Sequence, residues 1–219
     1  MSETELILIR HGQANNTAQT EAEYDRLSDL GHHQARLLGD HIRHTQMQYD
    51  RIYCGTLRRH RETAEAMQPV HDIIIDERLN EMRFFDMAQE YERQTGQPHP
   101  HGHAGFVQHL PKILTAWAAG DFDHVHVPYA EFATRFADVM NEARTKGGRS
   151  LFVTSGGVIG TAVAQHLGLS ATESAKTMMP IRNTSLHVFN ETYDQLHFVT
   201  YNATPHVDHA DNLHARTFY

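Results

Sequence analysis

A single cysteine, Cys54, stands among 219 residues. No internal disulfide can form, and so sparse a use of thiols fits a reducing compartment. Long apolar runs are missing too. No stretch approaches the ~20 residues that cross a bilayer, and the opening Met1-Ser2-Glu3-Thr4-Glu5 is acidic where a signal peptide is basic. A cytoplasmic location is therefore expected, with no membrane partner. Positive charge is also scarce: 19 Lys and Arg face 27 Asp and Glu, for a formal net charge of −8. That balance argues against a nucleic-acid or anionic-membrane surface, so any anion the chain binds must meet a local basic pocket. Internal repeats and low-complexity tracts are absent from the sequence.

Histidine, by contrast, is plentiful, with 19 copies. His99, His101, His103 and His109 crowd one region, and His124 and His126 follow closely. Metal sites use closely spaced histidines. These, however, have no cysteine beside them and sit among Pro98, Pro100, Gly102 and Gly105, which predicts a mobile loop in place of a metal cage. No metal and no organic cofactor is expected. The length suits one α/β domain over residues 1–219, carrying an insertion, better than two independent domains.

The organising stretch is Leu6-Ile7-Leu8-Ile9 followed by Arg10-His11-Gly12. Four aliphatic residues predict a short strand buried on both faces, and in open α/β sheets ligands sit beyond the carboxyl ends of such strands. A fixed cation and a nucleophilic or basic imidazole are thus delivered to one place, with Gly12 allowing the backbone to approach what they bind. Alone, such a tripeptide is as compatible with packing as with chemistry.

Two further strand ends repeat the pattern. Arg51-Ile52-Tyr53-Cys54 predicts a strand that runs through Gly55 into the cationic helix start Arg58-Arg59-His60-Arg61, which stops at Pro69. Residues at this spacing cannot all face one way, so part of the cluster is a solvated helix face. Ser150-Leu151-Phe152-Val153-Thr154 predicts a core strand entering Ser155-Gly156-Gly157 and a helix to about Leu167, where backbone N–H groups meet the positive end of a helix dipole.

The other elements frame these ends. Ser28 as N-cap and the stripe Leu30, Leu37, Leu38, Ile42 predict a helix over about 28–45. Ile73-Ile74-Ile75 predicts a third strand, and its loop carries Glu81 beside apolar neighbours that can raise a carboxyl pKa toward proton-transfer range. Pairing of Glu81 with Arg78 or Arg83 is the plainer alternative. Residues 86–129 form the candidate cap insertion, holding polar sequence, the histidine-rich loop and a helix ending near Trp117-Ala118-Ala119-Gly120. Tyr129 to Lys146 predicts another helix, residues 185–201 an edge hairpin, and residues 202–219 an extended tail. The expected fold is a three-layer α/β/α sandwich, with a mostly parallel sheet and helices on both faces.

Taken in order, Arg10-His11-Gly12, Leu57-Arg58-Arg59-His60-Arg61-Glu62-Thr63-Ala64, Leu79-Asn80-Glu81 and Ser155-Gly156-Gly157-Val158-Ile159 resemble the histidine phosphatase superfamily, the phosphoglycerate mutase-like group, over about residues 5–200. Asp25 to Gly31, with Gln34-Ala35, also looks like the family's segment after the first motif. The resemblance implies His11 as phosphoryl-accepting nucleophile, Arg10 and Arg59 as oxygen clamps, Glu81 as proton donor, and a phosphate contact at Ser155 and Gly156. Neutral imidazole is a capable nucleophile and guanidinium groups bind phosphoryl oxygens bidentately.

The chain departs from that pattern at Ser155, where the family usually has a second histidine, at Gly55, usually serine, and at Ala14, often a small hydroxyl residue. His187 is the candidate substitute for the missing imidazole. Ser155 as a nucleophile lacks a recognisable histidine and carboxylate. The implied function is a metal-independent phosphomonoesterase acting on a phosphorylated small molecule. Its alternatives are a mutase and a phospho-ligand binding protein that has lost turnover. The substrate is not legible, and a homodimer stays open.

Overall fold

The computed structural model describes residues 4–98 and 102–218. In chain order the elements are β1 (Glu5–Arg10), α1 (Glu21–Tyr24), α2 (Asp29–His44), β2 (Arg51–Cys54), α3 (Arg58–Ala66), β3 (Ile73–Ile75), α4 (Phe84–Thr95), α5 (Gly102–Ala119), α6 (Tyr129–Lys146), β4 (Arg149–Thr154), α7 (Gly156–Leu167), α8 (Ala171–Met178), β5 (Leu186–Thr192) and β6 (Gln195–Ala203). They build a six-stranded sheet in the order β3-β2-β4-β1-β5-β6. β1 runs parallel to β4, β4 to β2 and β2 to β3, while β5 and β6 return antiparallel as a hairpin on the far edge.

Alternation along the central strands explains the layers. Leu6 and Leu8 of β1, Tyr53 of β2 and Phe152 of β4 point to one face, into a core shared with Leu114 and Trp117 of α5, Phe136 of α6 and Ile159 of α7. Ile7, Ile9, Ile52, Cys54, Leu151 and Val153 point to the other face, where Ala35, Leu38 and Ile42 of α2 and Ala64 of α3 cover them. A three-layer α/β/α sandwich results. Strands covered on both faces read as unbroken aliphatic runs, which is why the sequence displays them so clearly.

Local signals place several ends. The Ser28 hydroxyl accepts from the Gly31 N–H at 3.1 Å and starts α2. Gly12 and Gly31 allow a backbone crossing there: a Cβ on Gly12 would stand 2.4 Å from the Gly31 carbonyl oxygen. Gly12 thus admits the first turn of α2 and not a ligand, a correction to the expected role.

The expected third strand forms, and three other expectations change. β3 is an edge strand with Ile74 and Ile75 40% and 50% exposed, because only β2 flanks it. The polar stretch after Arg83 is helical as α4. The expected histidine-rich loop is partly α5, which starts at Gly102 and carries Pro111 inside it. Its apolar stripe, Leu110, Ile113, Leu114 and Trp117, buries into the core and outweighs the proline and glycine signals. His99 and His101 lie outside the described residues. His109 is buried edge-on against Tyr91, with ring centroids 6.0 Å apart. Finally, residues 204–218, beyond the end of β6, do not form an extended tail. After β6 the chain turns through a 3-10 helix, Ala210–Ala215, and packs back on α2, where the Gln34 amide donates to the Ala215 carbonyl at 2.7 Å. Among the described residues, no helix is long and apolar enough to cross a membrane.

Candidate active site

The strand order sets β2, β4 and β1 side by side, so the three glycine-bearing strand ends read from the sequence meet in one place. β1 delivers Arg10 and His11. The His11 backbone N–H donates to the Thr154 carbonyl at the end of β4, at 2.9 Å. Its Nδ1 lies 2.7 Å from the Gly12 carbonyl oxygen. A carbonyl only accepts, so Nδ1 carries the proton and Nε2 keeps its lone pair. Burial, then the charges of Arg59 and Arg10, hold the ring well below the usual imidazole pKa, so it is neutral around pH 7.

Arg10 is buried and tied to backbone. Its Nη1 donates to the Ile181 and Phe218 carbonyls, which draws the C-terminal segment into the site. Arg59, only 2% exposed, enters from the first turn of α3. Asp25 orders it doubly: Oδ1 accepts from Arg59 Nη1 at 3.0 Å, and the same carboxylate receives the Arg58 and Arg59 backbone N–H groups that open α3. The guanidinium also stands 5.1 Å over the Tyr24 ring. The Nε atoms of Arg10 and Arg59 are both buried without a hydrogen-bond partner. Two unpaired buried cationic donors are costly unless an anion meets them.

Glu81 lies on the loop after β3, against the start of α7. Its Oε2 accepts from the Gly157 N–H at 2.8 Å and its Oε1 from the Met82 N–H at 2.9 Å. A Cβ on Gly157 would come within 2.2 Å of Oε1, so that glycine makes room for the carboxylate. Burial raises the Glu81 pKa, opposed by these hydrogen bonds and by Arg59. Pairing with Arg78 does not occur. Arg78 bridges Asp76 and Glu142 instead, and Arg83 pairs with Asp86.

Ser155 is placed differently from the expectation of a phosphate contact. It is fully buried behind Gly156, which lines the cavity, and its Oγ shares a 2.6 Å hydrogen bond with His60 Nε2. A histidine therefore does stand beside this serine, which the sequence reading missed. A carboxylate behind it is lacking among the described residues, since His60 Nδ1 has no partner. His187 does not reach the site as a substitute. Its Nε2 is bonded to Ser185 Oγ at 2.9 Å and its Nδ1 accepts from the Asn202 N–H at 3.3 Å.

Arg10, His11, Arg59, Glu81 and Gly156 line one cavity of about 650 Å³. An apolar part of its wall is built from Phe84, Phe85, Phe106, Leu110, Met178 and Phe218, while Asn15, Thr17, Gln19 and Gln89 line it with polar groups. Glu21 also lines it; burial pushes its pKa up to about 7, and its Oε1 accepts from the Phe85 N–H. The sequence had marked neither Glu21 nor these aromatic residues. Only α4, unrecognised as a helix, brings Phe84 around to face Phe106 of α5, with ring centroids 4.9 Å apart, while Phe85 packs against Tyr24.

A neutral imidazole, two buried guanidinium groups and a carboxyl of raised pKa thus meet at the carboxyl end of a mostly parallel sheet, an arrangement whose chemistry suits an oxyanion. The pattern of the histidine phosphatase superfamily (branch 1) matches residues 6–204, and the chain belongs to that family. No curated protein matches it in sequence. Among solved structures, phosphoserine phosphatase from Entamoeba histolytica, in complex with 3-phosphoglyceric acid, is similar at 20% identity with a TM-score of 0.65, covering 93% of this chain and 98% of that one. Phosphoglycerate mutase from Bacillus anthracis gives 18% identity and a TM-score of 0.66, covering 94% and 95%. Alpha-ribazole phosphatase from Shigella flexneri gives 19% and 0.62, covering 91% and 96%. At these identities the likeness is one of fold.

Proposed function

We propose that this protein hydrolyses a phosphate monoester by way of a phosphoryl group carried on His11, and that the alcohol part of its substrate is apolar. The observation that carries the reading is the commitment of His11 Nδ1 to the Gly12 carbonyl beside two buried arginine Nε groups without partners. The Nε2 lone pair attacks phosphorus while the ester P–O bond breaks, and the protonated Glu81 carboxyl gives its proton to the departing alkoxide. In the second step the Glu81 carboxylate takes a proton from water as that water's oxygen attacks phosphorus. The P–N bond breaks, phosphate leaves, and His11 and Glu81 return to their starting states. Arg10 and Arg59 hold the equatorial oxygens throughout, which is where most catalysis of such transfers resides. Neither step calls on a metal ion or an organic cofactor.

The substrate class follows from the outer wall. A phosphoryl group fills only a small part of about 650 Å³, and the remainder is bounded by Phe84, Phe85, Phe106 and Leu110 on one side and by polar residues such as Asn15, Thr17, Gln19 and Gln89 elsewhere. Burying an apolar alcohol there contributes about 0.8 kcal/mol per CH₂ group.

A rapid-quench experiment with a ³²P-labelled aryl phosphate, in EDTA, tests the reading. An acid-labile, base-stable phosphoenzyme should form and decay at the steady-state rate, and His11→Ala should form none. Labelling that persists in His11→Ala overturns the mechanism. Binding of phosphate without any labelling favours the phospho-ligand binding alternative.

A further inference from the structure

His60 occupies the first turn of α3, immediately after Arg59, and is fully buried. Its ring lies against the His11 ring, with centroids 5.6 Å apart, and its Nε2 meets Ser155 Oγ at 2.6 Å. Three features set it apart from a histidine that merely packs. Ser155 is the N-cap of α7, a position where a serine hydroxyl ordinarily accepts from the helix backbone, yet it makes no such bond and is spent on His60. Room for the ring exists only because residue 55 has no side chain: a Cβ on Gly55 would stand 2.2 Å from His60 Nδ1. And Nδ1 is buried without a partner, a cost that packing alone does not justify.

We propose that His60 and Ser155 act as one hydrogen-bonded unit that brings a second imidazole to the phosphoryl site from α3, positioning the His11 ring and the first turn of α7 relative to each other. The inference rests on the phosphoryl-transfer reading above. With the proton on Nε2, the ring donates to Ser155 Oγ and leaves a lone pair, not an N–H, orphaned at Nδ1. The serine oxygen then accepts this bond at the N-terminus of α7, tying α3 to the turn that carries Gly156. Burial and the neighbouring Arg59 charge both favour this neutral ring. A single hydrogen bond shared in a dry site leaves a buried polar atom unpaired when either partner is removed, so loss of one disables both. His60 and Ser155 are thus positioning residues: they act on the phosphoryl group through His11 and the α7 terminus. Gly55, His60 and Ser155 form a matched set, the glycine admitting the ring and the serine receiving it.

The test is a double-mutant cycle on the full chain with His60→Ala, Ser155→Ala and the pair, plus His60→Gln, Ser155→His and His60→Ala/Ser155→His. It is read as kcat and KM for an aryl phosphate and, independently of turnover, as orthovanadate affinity. Each single alanine variant should lose about 10- to 100-fold in kcat with little change in KM, the scale for residues that orient a reacting group, and the pair should lose no more than the worse single. His60→Gln, which keeps a side-chain N–H, should recover part of the loss. Ser155→His alone should gain nothing, because two imidazoles compete for one space, whereas His60→Ala/Ser155→His should restore activity lost in His60→Ala. Additive losses overturn the proposal, as does a swap no better than His60→Ala. So does an unchanged kcat in Ser155→Ala, a substitution that removes one oxygen and keeps the packing even if His60→Ala does not fold. Failure of the parent reading looks different: vanadate affinities then show the non-additive cycle while no variant, nor the parent protein, turns over any ester.

Discussion

The two ends of the cavity are built on opposite principles. At the inner end directional hydrogen bonds hold each group: the His11 ring by the adjacent Gly12 carbonyl and its backbone N–H by β4, Arg59 by Asp25, Glu81 by the start of α7, Arg10 by carbonyls of Ile181 and Phe218. At the outer end Phe84, Phe85 and Phe106 pack on one another within two neighbouring helices, and the ion pairs nearby, such as Arg83 with Asp86, lie at the surface. Directional bonds at the inner end fix its geometry, as the proposed phosphoryl transfer requires. Non-directional contacts at the outer end can take alcohols of varied shape. On the proposed function, chemistry belongs to the strand ends and selectivity to α4 and α5.

That contrast breaks most sharply at His11. His11→Ala should lower kcat by on the order of 10⁴-fold or more while leaving phosphate affinity within a few-fold, read by steady-state kinetics and calorimetry. Retained turnover would mean the inner end does not house the nucleophile. Next in size, Arg59→Lys should cost about 10²- to 10³-fold in kcat, because one ammonium cannot satisfy both Asp25 and two phosphoryl oxygens. Equal rates would assign the clamp to Arg10 alone. Gly157→Ala should follow at about 10²-fold in kcat with little change in KM, since the new Cβ drives the Glu81 carboxyl from its place. In the parent protein the alkaline limb of the kcat profile should sit above the usual carboxylate range, as the raised Glu81 pKa requires. A limb that does not move in Glu81→Gln would remove that carboxyl from the proton-transfer step.

Substitutions at the outer end should be milder and should discriminate among substrates. Phe106→Ala should reduce kcat/KM for an aryl or long-chain alkyl phosphate about 10-fold, chiefly through KM, and leave methyl phosphate unaffected. Equal losses on both esters would make the two ends one unit. The smallest effect is on stability. His11, His60, His187 and His206 fold neutral with lowered pKa values, about 3 for His187 and about 4 for His206, each with burial as the first cause. Below pH 6.5 the unfolded chain takes up protons that the folded chain refuses, so stability should fall from pH 6.5 toward 4, by about 1.4 kcal/mol per pH unit for each net proton. Glu21, raised to about 7, binds a proton in the folded state between pH 4.5 and 7 and offsets part of that slope. Scanning calorimetry at pH 7, 6 and 5 should show the melting temperature dropping; a flat profile would mean the buried rings take up protons without unfolding.

The strands, the α2 cap at Ser28 and the residues Arg10, His11, Arg59 and Glu81 were legible because their signals are local. Aliphatic runs bounded by glycine or proline, capping residues and short cationic motifs act within a few positions of themselves. The order of motifs also sufficed to name the family. Alternation that buries both faces of β1, β2 and β4 made the sandwich equally readable. What no local signal carried was partnership across the chain. His60 and Ser155 are 95 positions apart, and Arg10 and Phe218 are 208. Only the parallel strand order, which sets β2 beside β4 and β4 beside β1, and the return of the C-terminal segment bring such pairs within bonding distance. The sequence by itself thus determined the core strands, the helix caps and the order of the family's motifs, because residue type and local geometry are intrinsic. The tertiary structure alone decided that Ser155 turns to His60, that Gly12 serves α2 and that α4 and α5 close an aromatic wall, because contacts between distant segments depend on how all the layers pack at once.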